Sequence, residues 1–172
     1  TRSEALIIGR VSENPEKHFK NLQPNVDYAA SKLRDLGIKK GKVLFAKNNL
    51  EMINNIRRGD VDWVSETPFS ASLFMDKAKA EPILLRWKKG VQSYSTIFFT
   101  RKDNNIKSLK DLQGKKIAFE DSGSTSGFFL PFSILLQQGY HMTELSTPRK
   151  QVPPNMLGYI FSKNEVNSTN WV

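Results

Sequence analysis

Blocks of apolar residues separated by polar turns recur along the 172-residue chain and predict alternating strands and helices. Short apolar runs bounded by turn residues predict strands at 5–11, 42–46, 61–65, 82–87, 95–100 and from Lys116 onwards. Apolar residues three or four positions apart, with start and stop signals, predict helices at 25–36, 50–59, 67–78, 108–112, 128–138 and 165–172.

This succession of strand–helix units predicts an α/β fold with mostly parallel sheets flanked by helices. Right-handed crossovers place the strand-to-helix turns on one edge of a parallel sheet, which is where open α/β sheets bind ligands. Three turns are expected to converge on one such edge: 12–15, 65–68 and 122–127.

Residues 116–131 are the most informative stretch, since an apolar strand leads through the hydroxyl-rich sequence Gly-Ser-Thr-Ser-Gly into an apolar helix. Pro131 limits where that helix can start, which favours a start near Gly127. The N–H groups of 127–130 would then lack helical partners and point outwards. With the hydroxyls of Ser124, Thr125 and Ser126, they would form a donor-rich cup for an oxyanion.

An alternative interpretation of the same turn is purely structural. Serine and threonine are common N-caps and glycine fits tight turns, so such segments often do no more than start a helix. The position of the turn at the expected sheet edge strengthens the interpretation as a binding site, but the two readings remain open from the residues alone.

Composition narrows the function classes. Hydrophobic residues make up 38% and charged residues 25%, as in globular proteins, and no apolar run approaches the length of a membrane-spanning helix. Twenty-six Lys and Arg against 17 Asp and Glu give a net charge of +9, which favours anionic partners. The basic residues occur as scattered pairs without a basic stripe, so nucleic acid is not an expected partner.

The chemistry of an enzyme is also not expected. The chain has two histidines and no cysteine, too few for a recognisable metal cluster or catalytic triad. Residues 123–127 only superficially match the hydrolase elbow, because Thr125 stands where that motif has serine. No cofactor motif is found, so neither a cofactor nor a metal is predicted.

Several motifs in the chain resemble, in the same order, those of the substrate-binding proteins of phosphate, phosphite and phosphonate ABC importers. The matching pieces are 59–68 (GDVDWVSETP), 90–94 (GVQSY), 108–121 (SLKDLQGKKIAFED), 123–127 (GSTSG) and 152–162 (VPPNMLGYIFS). The resemblance implies the two-lobed type II periplasmic binding protein architecture, with a first lobe at 1–94 and a second lobe at 95–172. It also implies an extracytoplasmic protein, periplasmic or otherwise, whose signal peptide is not in this chain.

The resemblance further implies roles for particular residues. Ser124, Thr125 and Ser126, with Gly127, would grip the phosphorus-bound oxygens of the ligand, and Tyr94 would help to close the cleft. An ABC permease in the membrane is the implied macromolecular partner. A ligand-sensing domain of the same fold in a signalling receptor would share this binding chemistry and is the alternative function.

Two features depart from the family pattern. Glu66 stands with Thr67 where the first lobe would face the ligand, and a carboxylate there would repel a dianion. Glu66 would either accept a hydrogen bond from a protonated oxyanion, pair with a ligand amine, or serve as a first-turn charge at a helix N-terminus. The second departure is length: relatives continue beyond such a final helix, so the second lobe is expected to be incomplete, with an open sheet edge.

Overall fold

The chain forms two compact units, Thr1–Leu85 and Arg86–Val172. The computed structural model describes residues 4–12, 14–87 and 90–171. The division falls between Leu85 and Arg86, whereas the family resemblance implies a boundary between the lobes after residue 94. Tyr94 therefore belongs to the second unit.

The first unit is a three-stranded parallel sheet covered on both faces by helices. Its elements are β1 (Ala5–Val11), α1 (Pro15–Ser31), β2 (Lys40–Ala46), α2 (Asn49–Arg58), β3 (Trp63–Val64) and α3 (Pro68–Ala78). The strand order is β2-β1-β3, with Ile8 opposite both Val43 and Trp63. Met52 and Phe74 are buried in one apolar cluster, and Leu22 and Val26 of α1 are buried with Ile8 in another.

Helix α1 differs from the expected helix at 25–36. It begins at Pro15, continues through Pro24 and ends at Ser31, and residues 34–36 form a separate 3₁₀ turn. The expected start rested on the spacing of Val26, Ala29, Ala30, Leu33 and Leu36, and a proline inside a helix is unfavourable because it lacks an N–H. Packing decides otherwise, because Leu22, which precedes Pro24, is buried in the same cluster as Val26.

The second unit contains another three-stranded parallel sheet, in the order β4-β6-β5. Its strands and helices are β4 (Lys116–Phe119), α4 (Leu130–Gln137), β5 (Met142–Glu144), β6 (Leu157–Phe161) and α5 (Glu165–Asn170), with a 3₁₀ turn at Leu109–Leu112. Leu112, Phe119, Leu135 and Leu157 form the buried core. The α/β class with parallel sheets is thus confirmed, although the sequence pattern assigned neither the short strand β5 nor the central strand β6.

The predicted strands at 82–87 and 95–100 are wrong for this chain, since both segments lack regular secondary structure. A strand needs a hydrogen-bonded neighbour, and among the described residues neither three-stranded sheet pairs with these segments. Every residue of 81–87 is exposed, with Leu85 at 92%. At 95–100 burial alternates: Phe98 packs against the core while Ile97 and Phe99 are exposed. Apolar residues on both faces are typical of a strand covered on both sides.

We expect these exposed apolar side chains to make the 172-residue chain associate with itself, because large exposed apolar patches favour aggregation or partner binding. The double substitution Leu85→Lys with Phe99→Lys should lower the weight-average molar mass that sedimentation equilibrium measures at high protein concentration. Ser93→Lys with Ser95→Lys adds the same charge at exposed polar positions and serves as the control. A wild-type chain that stays monomeric at all concentrations would contradict this expectation, as would an equal effect of the control.

A capping box starts the 3₁₀ turn at Leu109–Leu112 and makes the stability of the fold depend on pH. Asp111 Oδ2 accepts hydrogen bonds from Lys107 N at 3.0 Å and from Ser108 N and Oγ at 2.8 and 3.0 Å. These bonds, the one from Lys107 N first, hold the pKa of Asp111 below its ordinary value. A lowered pKa in the folded state means that the stabilisation is present above the unfolded-state value and disappears as the pH falls.

Asp111→Asn should therefore destabilise the protein at neutral pH, with a difference from wild type that shrinks below about pH 4, where the carboxyl group of the unfolded chain is protonated. Urea unfolding of both proteins at pH 7, 5 and 3 measures this. A difference in the free energy of unfolding that stays constant over this range would exclude the carboxylate as its cause.

Candidate functional site

Two strand-to-helix turns lie side by side at the carboxyl edge of the second sheet. β4 and β6 are neighbours, with Phe119 opposite Phe161 at their ends. Beyond those ends, Ser162 N donates to Phe119 O and Lys163 N donates to Glu120 O, both at 2.8 Å. The turn that follows β4 is therefore held against the turn that follows β6, at the edge where ligands of open α/β sheets bind.

The hydroxyl of Ser124 organises the first turn. Its Oγ accepts from Gly127 N at 3.0 Å and donates to Glu120 Oε2 at 2.9 Å. Ser124 O also accepts from Phe129 N at 3.0 Å, and Ser124 is the N-cap of a wide π-helical turn at Thr125–Phe129 that leads into α4. The helix thus begins at Thr125, and the expected start near Gly127 is wrong.

Pro131 cannot supply a helical partner for one carbonyl of this turn. Proline has no N–H and cannot bond the carbonyl four residues back, which here belongs to Gly127. Gly127 O instead accepts from Glu120 N at 3.1 Å, across from the end of β4. A carbonyl that the helix cannot use thus ties the turn to the strand.

Most of the N–H groups that were expected to point outwards donate hydrogen bonds inside the turn. Gly127 N is bonded to Ser124 Oγ, Phe129 N to Ser124 O, and Leu130 N to Thr125 O. The prediction that the N–H groups of 127–130 point outwards is therefore wrong for these three. They hold the turn together, as capping interactions do.

The three hydroxyl residues of the turn differ in their exposure. Ser124 is only 9% exposed and its hydroxyl acts as both donor and acceptor within the turn. Thr125 and Ser126 are partly exposed. Ser126 accepts from Thr96 Oγ1 at 2.6 Å through its backbone carbonyl, so this contact does not use its hydroxyl. Ligand binding by Ser124, Thr125 and Ser126 stays a prediction.

An aromatic cluster anchors the far end of the turn. The ring of Phe128 lies 4.9 Å from that of Phe161 and 5.3 Å from that of Phe119, measured between centroids. Tyr159 packs into the same cluster, and burial, followed by the nearby Glu144 carboxylate, raises the pKa of its hydroxyl. The turn therefore rests on the ends of both strands, which limits its movement.

The turn after β6 is built from short polar side chains. Asn164 caps α5 by accepting from Asn167 N at 2.8 Å, and Ser162 Oγ donates to Phe119 O at 3.0 Å. Ser162 Oγ also lies 2.5 Å from Ser168 Oγ. Neither Ser162 nor Asn164 was predicted to be a site residue. The Ser-x-Asn pattern directly after an apolar run was nevertheless a signal for a capped helix at a sheet edge.

In the first unit, the carboxylate of Glu66 is buried and bonded to neighbouring groups of the protein. Its side chain is 3% exposed; Oε1 accepts from Val11 N at 2.6 Å, and Oε2 lies 3.4 Å from Arg10 Nη1 and accepts from Thr67 N at 3.3 Å. The carboxylate therefore joins the end of β1 to the start of α3. A ligand contact by Glu66 stays a prediction, and its environment favours the structural alternative.

Thr67 and Tyr94 are the remaining predicted site residues. Thr67 is the N-cap of α3 and Pro68 its first residue, as the sequence predicts. Tyr94 is 59% exposed and lies in an irregular stretch of the second unit. Thr96, two residues further on, contacts the turn at Ser126, so the chain passes close to the turn just after Tyr94.

The described residues contain no group of three or more His, Cys, Asp or Glu side chains arranged to hold a metal ion. Within the same ranges, none of the helices has the length and apolar character needed to cross a membrane.

Comparison with protein families gives one family for this chain. The model described as the periplasmic substrate-binding protein of phosphonate ABC transporters matches residues 11–168. The phosphate-import protein PhnD of Mycolicibacterium smegmatis is 29% identical over 129 residues, which cover 73% of this chain and 40% of that protein.

Solved structures give the same fold. XAC2383 from Xanthomonas citri bound to ATP is 34% identical with a TM-score of 0.89, covering 99% of this chain and 60% of that one. Its chloride-bound form is 36% identical with a TM-score of 0.86, covering 92% and 57%. PhnD1 from Prochlorococcus marinus in complex with methylphosphonate is 19% identical with a TM-score of 0.59, covering 96% and 58%, and shows similarity of fold alone. The chain thus spans 40–60% of the length of these relatives.

Gly127→Ala should disrupt the turn. A Cβ at this position would lie 2.8 Å from Glu120 Cβ, Glu120 Oε2 and Ser124 Oγ. Such overpacking should lower the free energy of unfolding by about 1–3 kcal/mol. Urea unfolding measures the loss, with Ser126→Ala as a control expected to change it by less than about 0.5 kcal/mol. Equal stability of Gly127→Ala and wild type would show that the turn adapts without cost.

Proposed function

Because the chain belongs to the periplasmic substrate-binding family of phosphonate ABC transporters, we propose that it binds a small phosphorus oxyanion and delivers it to an ABC permease. Phosphate, phosphite and phosphonates are the ligands considered. The observation that carries the proposal is the hydroxyl-bearing turn at 124–127, which opens a helix at the carboxyl edge of a parallel sheet. A helix start favours a nearby anion through its dipole, and side-chain hydroxyls at its first residues can donate hydrogen bonds.

In the proposed mechanism, the Thr125 and Ser126 hydroxyls donate hydrogen bonds that replace water around the anion. Both residues are partly exposed, whereas Ser124 supports them from a buried position. The net charge of +9 attracts anions over long distances and raises the rate of encounter. The ligand leaves unchanged, so the protein is proposed to act without catalysis or a cofactor.

Closure completes the cycle in this proposal. Tyr94 would cover the bound anion, and Thr67 with Glu66 would approach it from the first unit, as hinge closure brings two lobes around a ligand. The liganded form would then dock on a membrane permease. Since the family is periplasmic, we propose the periplasm or an equivalent extracytoplasmic space as its location.

A phosphate ester is the second candidate ligand, because XAC2383, 34% identical to this chain, has been solved with ATP bound. The same donors recognise the oxygens of a terminal phosphoryl group and those of a free oxyanion. The two ligand classes differ in the room that they need beyond the phosphorus atom.

Isothermal titration calorimetry with phosphate, phosphite, methylphosphonate, 2-aminoethylphosphonate and ATP tests the proposal. At least one should bind with a dissociation constant of about 10 μM or below, corresponding to about −7 kcal/mol. Thr125→Ala with Ser126→Ala should weaken that binding by about tenfold or more, because two hydrogen bonds to a charged group are lost.

The matched control is Ser133→Ala, which removes a hydroxyl that bonds Phe129 O on the exposed surface of α4. It should leave the affinity within about twofold, since a surface change away from the site has a small effect. Absence of binding to all five compounds by a protein with a folded far-ultraviolet spectrum would reject the proposed function.

A further inference from the structure

Glu120 is an acidic residue built into the turn that is proposed to bind an anion. It directly follows β4, and its backbone bonds both turns at the sheet edge, with Glu120 N donating to Gly127 O and Glu120 O accepting from Lys163 N. Its carboxylate accepts from Ser124 Oγ at 2.9 Å. Both the backbone and the side chain of Glu120 are therefore part of the turn's construction.

The bond from Ser124 to Glu120 determines what the serine hydroxyl can do. A hydroxyl has one proton to donate, and here it points at Glu120 Oε2. The oxygen is then oriented to accept from Gly127 N. Ser124 Oγ thus acts as an acceptor for the backbone, and its own proton is used within the turn.

The carboxylate also lies very close to the backbone of the turn. An ideal Cβ on Gly127 would be 2.8 Å from Glu120 Oε2, so the carboxylate lies against the backbone of the turn that is proposed to bind the ligand. Coulomb repulsion between this carboxylate and an oxyanion bound at the turn would grow with the charge of the ligand. Two charged residues adjoin Glu120 in the two turns: Asp121, whose Oδ1 accepts from Gly123 N, and Lys163, whose backbone N–H donates to Glu120 O.

We propose that Glu120 is a positioning and specificity-determining residue: it directs the Ser124 hydroxyl towards Gly127 and makes the site favour monoanionic over dianionic ligands. This inference rests on the proposed function. From the sequence, Glu66 was the acidic residue expected to influence which ligand charge the site accepts. The Glu66 carboxylate accepts from Val11 N and pairs with Arg10, so we assign this role to Glu120 in the second unit instead.

Calorimetry with methylphosphonate from pH 6 to pH 8.5 tests the inference, because the ligand gains its second negative charge over this range. The measured quantity is the dissociation constant at pH 8.5 divided by that at pH 6. Glu120→Gln keeps the shape and a hydrogen-bond acceptor for Ser124 but removes the charge. It should lower this ratio by about fivefold relative to wild type, the order expected for one charge at close range.

Three further variants separate the charge of Glu120 from its positioning role. Asp121→Asn removes an equal charge one residue away and should change the ratio by less than about twofold, because its side chain is exposed to water. Glu120→Ala should lower the ratio and also weaken binding at both pH values, since the Ser124 hydroxyl loses its partner. Glu120→Asp should keep the ratio of wild type, even if its shorter side chain costs affinity.

An unchanged ratio in Glu120→Gln would overturn the inference, and so would an equal decrease in Asp121→Asn, which would assign the effect to net charge. Either result leaves the proposed function intact, because it requires methylphosphonate to bind. Failure of the folded wild-type chain to bind any of the five compounds would instead reject the proposed function and this inference with it. If Glu120→Gln does not fold, Glu120→Ala replaces it in the comparison with Asp121→Asn, because it also removes the charge of Glu120.

Discussion

The hydrogen bonds of Ser124 and Glu120 are the constraint on which the candidate site depends. Ser124 Oγ lies between a backbone N–H that it accepts from and a carboxylate that it donates to. Gly127 O, which Pro131 leaves without a helical partner, is bonded by Glu120 N. These bonds fix where the helix starts and which way Thr125 and Ser126 are presented. The site is therefore a property of the strand end and the helix start together.

The parallel sheet adds the second constraint. Adjacent parallel strands end at the same edge, so the polar turns after β4 and β6 come together and share the bonds from Ser162 and Lys163. The aromatic rings of Phe119, Phe128 and Phe161 pack directly under this edge. Burial of these rings supplies stabilisation that the exposed polar residues cannot provide.

Much of this arrangement could be predicted from the sequence, because it depends on local signals. Thr67-Pro68 marks the start of α3, and the apolar run from Lys116 followed by Ser-Thr-Ser marks β4 and its turn. The start of the helix at Thr125 could not be predicted, since it requires Glu120 to take over the carbonyl of Gly127. The burial of Glu66 against Arg10 likewise joins the ends of two strands that are distant in sequence.

The strand-like segments at 82–87 and 95–100 show that a local sequence pattern alone does not determine whether a strand forms. Ile97, Phe99 and Leu85 give the correct local pattern, yet a strand exists only with a hydrogen-bonded neighbour. The chain spans 57–60% of the two XAC2383 structures, and the expected incompleteness of the second lobe agrees with this coverage. Local propensity thus identified segments suited to a sheet, but a strand also needs a pairing partner, which neither sheet of the described residues provides.

The central claim is that an oxyanion binds at the turn after β4. Backbone amide chemical shifts of the isotopically labelled chain, titrated with methylphosphonate or phosphate, test it most directly. The account predicts saturable shifts that are largest at residues 124–128, with smaller ones at 162–167. Saturable shifts centred elsewhere, for example on the basic pair Arg57 and Arg58, or no shifts at all, would contradict it.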